Sequence, residues 1–581
     1  MQRVLPAIIL FLLLCTNVVQ AEEDTARVYV TIEGLNGRVL TNVVNLLSIQ
    51  AYHQQLAPGD ARVRYLHNQA PRDFRRALSP YGYYRYELER SLEQRNGDWY
   101  ANYKITLGEP ISYRQVSIAV QGEGQGDNAF QTLISSLNVR SGARLEHSDY
   151  ESAKSRLRRL ASDRGYYEAR FTEQQLRIDM DDYAADVFLT LNTGPRYRFG
   201  EVAISEGHLD ADVVRRFIGF SEGDYMQSSR LLDLQLGLSD SDYFSRIEVQ
   251  PLWAEATDQQ QVPIQIDYEP NKRTYYRFGI GYGTDTGSRL SFEQNRRWVN
   301  TRGHRFTAQV QASEMRSSVG ANYTIPGQRP QTDQYVLRTL WTDENTDNTE
   351  YERIVFGVSW QKQFTRTERV LSLDWQDERD TLDGVIRKTQ YLLPSAQWTR
   401  IHTQNRLDVD EGWRLSLTVR GAAAALLSDS DFAQTILAAK HVMPWGDKVR
   451  LLTRLDLGTS ITGNFDQVPT SLRFYTGGDR TIRGYAYQSI SPRNSLGEVE
   501  GGRHLIVGSA ELDYEFRANW RVAAFFDAGN AFNNINDPMQ MGVGIGFRWQ
   551  SPVGPIRFDL ASGLRDPGDT LRLHLTLGPD L

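Results

Sequence analysis

From about Lys272 onward, apolar and polar side chains alternate with a period of two. In Tyr275–Gly283, Tyr276, Phe278, Ile280 and Tyr282 share one face, and Gly279, Gly281 and Gly283 the other. Trp413, Leu415, Leu417 and Val419 likewise oppose Arg414, Ser416, Thr418 and Arg420, and Leu571, Leu573, Leu575 and Leu577 oppose Arg572, His574 and Thr576. A two-residue period marks strands with one apolar and one polar face. About 16 such segments follow one another in residues 273–581. A soluble sandwich also alternates, but its turns recur every ~8–12 residues. Here many segments run longer, with Trp and Tyr near their ends, which suits strands crossing a membrane at a tilt between aromatic girdles. Backbone amides in lipid need partners, so such strands must close on themselves. The pattern predicts a 16-stranded antiparallel transmembrane β-barrel. The glycines of "FGIGYG" do not suggest a nucleotide loop, because no helix or downstream acid in a βαβ setting follows them.

The first half has another rhythm. "RRALSPYGYYRYEL" (Arg75–Leu88), "RRLASDRGYYEARF" (Arg158–Phe171) and "LGLSDSDYFSRIEV" (Leu236–Val249) each join the end of an amphipathic helix to a turn, a pair of aromatics and a strand. Each has an opening strand upstream and a closing strand that ends in a turn with proline. The repeat predicts three tandem α+β units of order β-α-α-β-β, over residues 22–110, 111–195 and 196–272, ahead of a barrel over 273–581. A short sheet with an uncovered edge can take up an extended client or partner segment as an added strand.

Composition narrows the function. The net charge of −7 carries no basic excess for nucleic acid. Residues 1–21 read as a cleavable export signal: Arg3, an apolar run from Val4 to Cys15, and cleavage between Ala21 and Glu22. Cys15 is the only cysteine, so the exported chain is expected to lack disulfide and thiol chemistry. The histidines are scattered, and H-E-x-x-H and P-loop motifs are absent. The chain is therefore not expected to be an enzyme or to need a metal or other cofactor. A passive porin would not need three modules before its barrel.

"GGDRTIRGYAYQ" (Gly477–Gln488) lies in a connector of about 40 residues, between strands ending near Thr459 and starting near Arg503. A barrel of this size can hold such a loop inside. Arg483 would then need carboxylate partners. Strand parity turns Asp527, Asp559, Glu511, Asp513 and Glu515 inward, together with Arg557 and the small Gly542, Gly544 and Gly546.

At this point a resemblance emerges. "GGDRTIRGYAYQSISP", "FFDAGNAF" and "GIGFRWQSPVGPIRFDLA" resemble the loop-six and strand motifs of the barrels for outer-membrane assembly and two-partner secretion. The three units resemble POTRA domains, and the combination is most similar to the TamA group; BamA proteins carry five such units. The resemblance implies a loop-pinning motif of Ile482, Arg483, Gly484 and Tyr485, with Asp527 and then Asp559 as lumen carboxylate partners. It implies a lateral seam between the first strand (Phe278, Ile280, Tyr282) and the last (Leu573, Leu575, Leu577). Glycines in the first strand and Pro579 after the last weaken edge pairing there. Also implied are a TamB-like inner-membrane-anchored periplasmic partner at the first POTRA unit, and unfolded outer-membrane protein clients such as autotransporters. Secretion through the lumen and phospholipid transport to the outer membrane stay open as alternatives.

Overall fold

A computed structural model describes residues 26–577 apart from 383, 404–408, 496, 552–553 and 566–570. The expected cleavage site at Ala21 and Glu22, and Pro579, lie outside the described residues. Ahead of the barrel are three three-stranded sheets. In the first, Asp98–Leu107 lies between Val28–Glu33 and Tyr86–Arg95; in the second, Ala184–Asn192 lies between Ser112–Gln121 and Arg170–Asp179; in the third, Gln261–Pro270 lies between Arg198–Ile204 and Phe244–Pro251. Two helices separate the opening strand from the closing pair each time, so the β-α-α-β-β order read from the repeat is the order observed.

Alternation explains the cores. Trp99, Ala101, Tyr103 and Ile105 of the first central strand are all buried, and pack with Val43, Leu66 and Phe74 from the two helices. The paired aromatics have a structural reason. Tyr83 packs on the first core, whereas Tyr84 joins the second and bonds His147 Nε2 at 2.9 Å. Tyr166 is buried in the second core, while Tyr167 packs at a tilt against Trp253 and meets Ser228 of the third segment. In the last pair Phe244 packs on Tyr268 of its own sheet, and the Tyr243 hydroxyl donates to Gly303 O in the barrel sequence at 2.5 Å. One ring of each pair closes its own core and the other reaches the next.

The second half is one sheet of sixteen strands, each antiparallel to the next in sequence order, from Thr274–Gly283 to Arg572–Leu577. Among the described residues no ladder joins the first strand to the sixteenth. Outward parity is as the pattern predicts: Phe278, Ile280, Val522, Phe526, Phe558 and Leu573 are exposed to the lipid side, whereas Asp527, Asp559 and His574 are buried inward. No helix among the described residues is long and apolar enough to cross a membrane. The eleventh strand, Val449–Thr462, and the twelfth, His504–Arg517, are joined by the long loop, residues 463–503.

Candidate functional site: the pinned loop and the seam

The long loop is anchored at its entry by contacts that parity alone does not reveal. The Thr470 and Ser471 amides donate to Asp380 at 3.1 Å and Glu378 at 3.0 Å on the seventh strand, Thr367–Leu382. Both carboxylates are buried, and each also takes a hydroxyl proton from the same residue. Arg473 folds the loop on itself, donating to Val468 O and Phe465 O, both at 2.9 Å, and to Glu500 O at 3.0 Å. The guanidinium thereby draws carbonyls from both ends of the loop to one side chain.

Arg483 is the centre of the next layer. Its Nε donates to Asp527 Oδ2 at 2.7 Å and its Nη2 to Asp527 Oδ1 at 2.9 Å, a two-pronged pair on the thirteenth strand, Trp520–Phe532. Nη1 reaches Glu511 Oε2 at 2.7 Å and Asp559 Oδ2 at 3.1 Å. The Arg483 amide also donates to Asp527, at 3.1 Å. The guanidinium carbon stands 3.4 Å from the centroid of the Phe525 ring. Arg548 completes the group by pairing with Glu511 and Asp559, and the charges of Arg454 and Arg557 lie close to the same carboxylates. Asp527 and Asp559, the partners expected from sequence, both meet Arg483. Glu511 is an equal partner, and Arg548 was not singled out. A signal for Arg548 existed: it is the inward arginine of the strand that carries the glycine row.

The wall opposite is shaped for the backbone. Gly542 faces Asp527 in the register of the thirteenth and fourteenth strands, the latter Gln540–Ser551. A Cβ on Gly542 would lie 1.9 Å from Arg483 O. Gly484 adopts φ +89°, and a Cβ there would meet the Ser562 carbonyl carbon and the Gly563 nitrogen at 2.5 Å, so two separate constraints require glycine. Ile482 is fully buried with Ile490 and Val507. The Tyr485 ring is fully buried too, its hydroxyl 3.1 Å from Met541 O and 3.0 Å from Arg565 O. All four residues of the motif are thus seated on the wall.

At the seam, Phe278, Ile280, Tyr282, Leu573 and Leu577 are exposed and Leu575 is half-buried; they line two strand edges rather than one contact. What bridges the edges lies inward. The Leu575 amide donates to Thr284 Oγ1 at 3.1 Å, in the turn after the first strand. Among the described residues, Asp285, Asp479 and His574 are the one group with the composition of a metal site. The ring of His574 argues against that use. Its Nε2 accepts the Gly484 amide at 3.0 Å and its Nδ1 contacts Asp479, so Nδ1 carries the proton. A metal on Nδ1 would shift that proton to Nε2, against the Gly484 N–H.

Asp285 is buried, accepts the Asp479 amide on Oδ2 at 2.6 Å, and has no partner on Oδ1. Burial and the Asp479 charge push its pKa up to about 6, against the opposing effects of the Asp479 amide, His574 and Arg572. A carboxyl raised in the docked state stabilises docking fully at low pH and loses that stabilisation as pH rises through about 6. Docking of the loop at Gly478–Thr481 is therefore expected to tighten about tenfold from pH 7.5 to pH 5. Hydrogen exchange of these amides, corrected for intrinsic rates, measures it. Asp285→Asn should flatten the dependence and hold the tight state at pH 7.5; an unchanged slope in that variant refutes the assignment.

Comparison with known proteins places these features. The Omp85 superfamily domain matches residues 272–580, and the first POTRA domain of TamA matches residues 29–107. The outer membrane protein assembly factor BamA of Nitratidesulfovibrio vulgaris is 23% identical over 404 residues, 65% of this chain and 50% of that protein. The chain thus spans half the length of that relative. BamA of Neorickettsia risticii is 22% identical over 516 residues, 83% of this chain and 68% of that one. The crystal structure of BamA from Haemophilus ducreyi lacking POTRA domains 1–3 has a TM-score of 0.68 at 17% identity, covering 81% of this chain and 99% of the other. That likeness shows the fold.

Proposed function

Because the chain belongs to the Omp85 superfamily, with a TamA-type first POTRA domain, we propose that it inserts and assembles client outer-membrane proteins by pairing a client strand with the strand edges of its seam. The barrel lies in the outer membrane and the POTRA domains in the periplasm. One observation carries the reading: sixteen strands pair in sequence, and among the described residues no ladder joins the two ends. An unpaired edge is a template for a further strand. The loop supports the same reading, since Arg483, Thr470 and Ser471 fix it across the lumen wall, leaving the edges as the accessible route.

Autotransporters are the expected clients, and a TamB-like inner-membrane-anchored periplasmic protein the expected partner. The strand Tyr86–Arg95, at an edge of the first sheet, offers that partner a place to pair. Catalysis and cofactors have no part in this mechanism.

Photo-crosslinking in cells tests the reading, with probes at Ile280 and Leu575 on the seam and Thr418 in the lumen. Client adducts are expected at Ile280 and Leu575. Adducts confined to Thr418 would mean passage through the lumen, and phospholipid adducts in place of protein would make lipid the cargo; either result replaces the assembly reading.

A further inference from the structure

We propose that His574 is the positioning residue that closes the seam, by tying the last strand to the long loop, so that seam and loop open as one unit. Among the described residues the last strand has six residues, paired on one side with the fifteenth strand, Gly554–Gly563. A full ladder to the first strand would hold this edge by backbone alone. Instead, the described contacts form a ring of directed hydrogen bonds. The Leu575 amide donates to the Thr284 hydroxyl. That hydroxyl donates to the Asp479 carboxylate, 2.9 Å from Oδ1 and 3.0 Å from Oδ2. Asp479 takes the Nδ1 proton of His574, and His574 Nε2 takes the Gly484 proton.

The ring begins and ends on adjacent residues of the last strand and passes through the first hairpin and the loop. Each group fills a definite role. Thr284 must both accept and donate, and the imidazole must donate from one nitrogen while accepting at the other. His574 is inward, faces Asp559 in the strand register, and is almost fully buried, so water does not replace a lost partner cheaply. Asp479 is further fixed by its own amide on Asp285. Gly484 follows Arg483 directly, which places the carboxylate cluster and the seam on consecutive peptide units. Lifting the loop off Asp527 withdraws the acceptor and donor that hold the last strand. Parting the strands withdraws two of the loop's partners. This coupling deepens the seam reading above and rests on it for its use, though not for its geometry.

The test measures seam width in the full chain in lipid nanodiscs, without client. Spin labels go on Leu290→Cys and Leu560→Cys in a Cys15→Ser background. Leu290 and Leu560 are exposed outward on the strands flanking the two edges. Pulsed electron resonance gives the distance distribution, and proteolysis of residues 477–488 reads the loop in the same samples. His574→Leu and Thr284→Val are each expected to raise the wide-seam population about tenfold, the effect of one hydrogen bond to a charged group, and to expose the loop in parallel. His574→Asn can keep the Asp479 bond and His574→Gln the Gly484 bond, so both should fall between. Heat-modifiable gel mobility checks that the barrel is folded; should His574→Leu fail it, Thr284→Val carries the test.

Parental widths in both variants would overturn the proposal. So would a widened seam with a protected loop. Zinc that narrows the parent and not His574→Leu would make the group a metal site and also overturn it. A seam that obeys His574 while client adducts fall at Thr418 would keep this inference and remove the assembly reading.

Discussion

Arg483→Ala is expected to free the long loop from the barrel wall while the barrel itself stays inserted. The guanidinium is the shared cation of Asp527, Glu511 and Asp559. Arg548 remains for Glu511 and Asp559 when Arg483 is lost. Asp527 is left worse: it keeps the Ser509 hydroxyl at 2.6 Å, the amide of residue 483 and the nearby charge of Arg454, but no paired cation. Breaking a buried ion pair by removing one partner costs about 3–5 kcal/mol, a cost that falls on the docked loop and favours its release. Protease cleavage and hydrogen exchange within residues 477–488 should rise by orders of magnitude, with gel mobility of the folded barrel unchanged. Arg483→Lys keeps the charge but cannot reach three carboxylates as a fork does, so it should behave as an intermediate. Adding Asp527→Ala to Arg483→Ala should recover part of the loss, because the unpaired acid is then gone. The exchange of Arg483→Asp with Asp527→Arg should not rescue, since the new acid at 483 faces Glu511 and Asp559. A parental cleavage pattern in Arg483→Ala would show that the cluster does not hold the loop.

The fold was readable because two periods differ so sharply. A two-residue alternation continued through sixteen segments has one solution in lipid, and the repeat of helix, turn and paired aromatics marks three small units. Parity also put Asp527, Asp559 and Glu511 inward. It could not say which of them would meet Arg483, because that depends on where a loop of irregular backbone settles. The same limit hid Glu378 and Asp380, which face inward among many polar residues of the seventh strand and gain meaning only under Thr470 and Ser471. His574 was placed on the polar face of the last strand without a role. Its partners Gly484 and Asp479 come from the loop, 90 and 95 residues earlier, and no periodicity links them.

Gly542→Ala should eject the loop as fully as loss of Arg483, by sterics alone. A single methyl group there would sit 1.9 Å from the Arg483 carbonyl oxygen and 3.1 Å from its carbon. Both atoms belong to backbone, and that backbone is fixed by the Arg483 amide on Asp527 and the Gly484 amide on His574. No rotamer relieves the clash, so either the fourteenth strand bulges or the loop leaves. Strand pairing on both sides of Gly542, with Asp527 and Gly563, resists the bulge. The expected outcome is loop cleavage at the rate of Arg483→Ala with every charge still present. Gly508→Ala is the control, since its nearest atom would be Ala528 O at 3.9 Å, an ordinary contact. Gly542→Ala combined with Arg483→Ala should be no worse than either alone, because one event, release of the same loop, relieves both. Additive losses would mean that the two positions hold different structures. A protected loop in Gly542→Ala would mean that the wall does not shape the site.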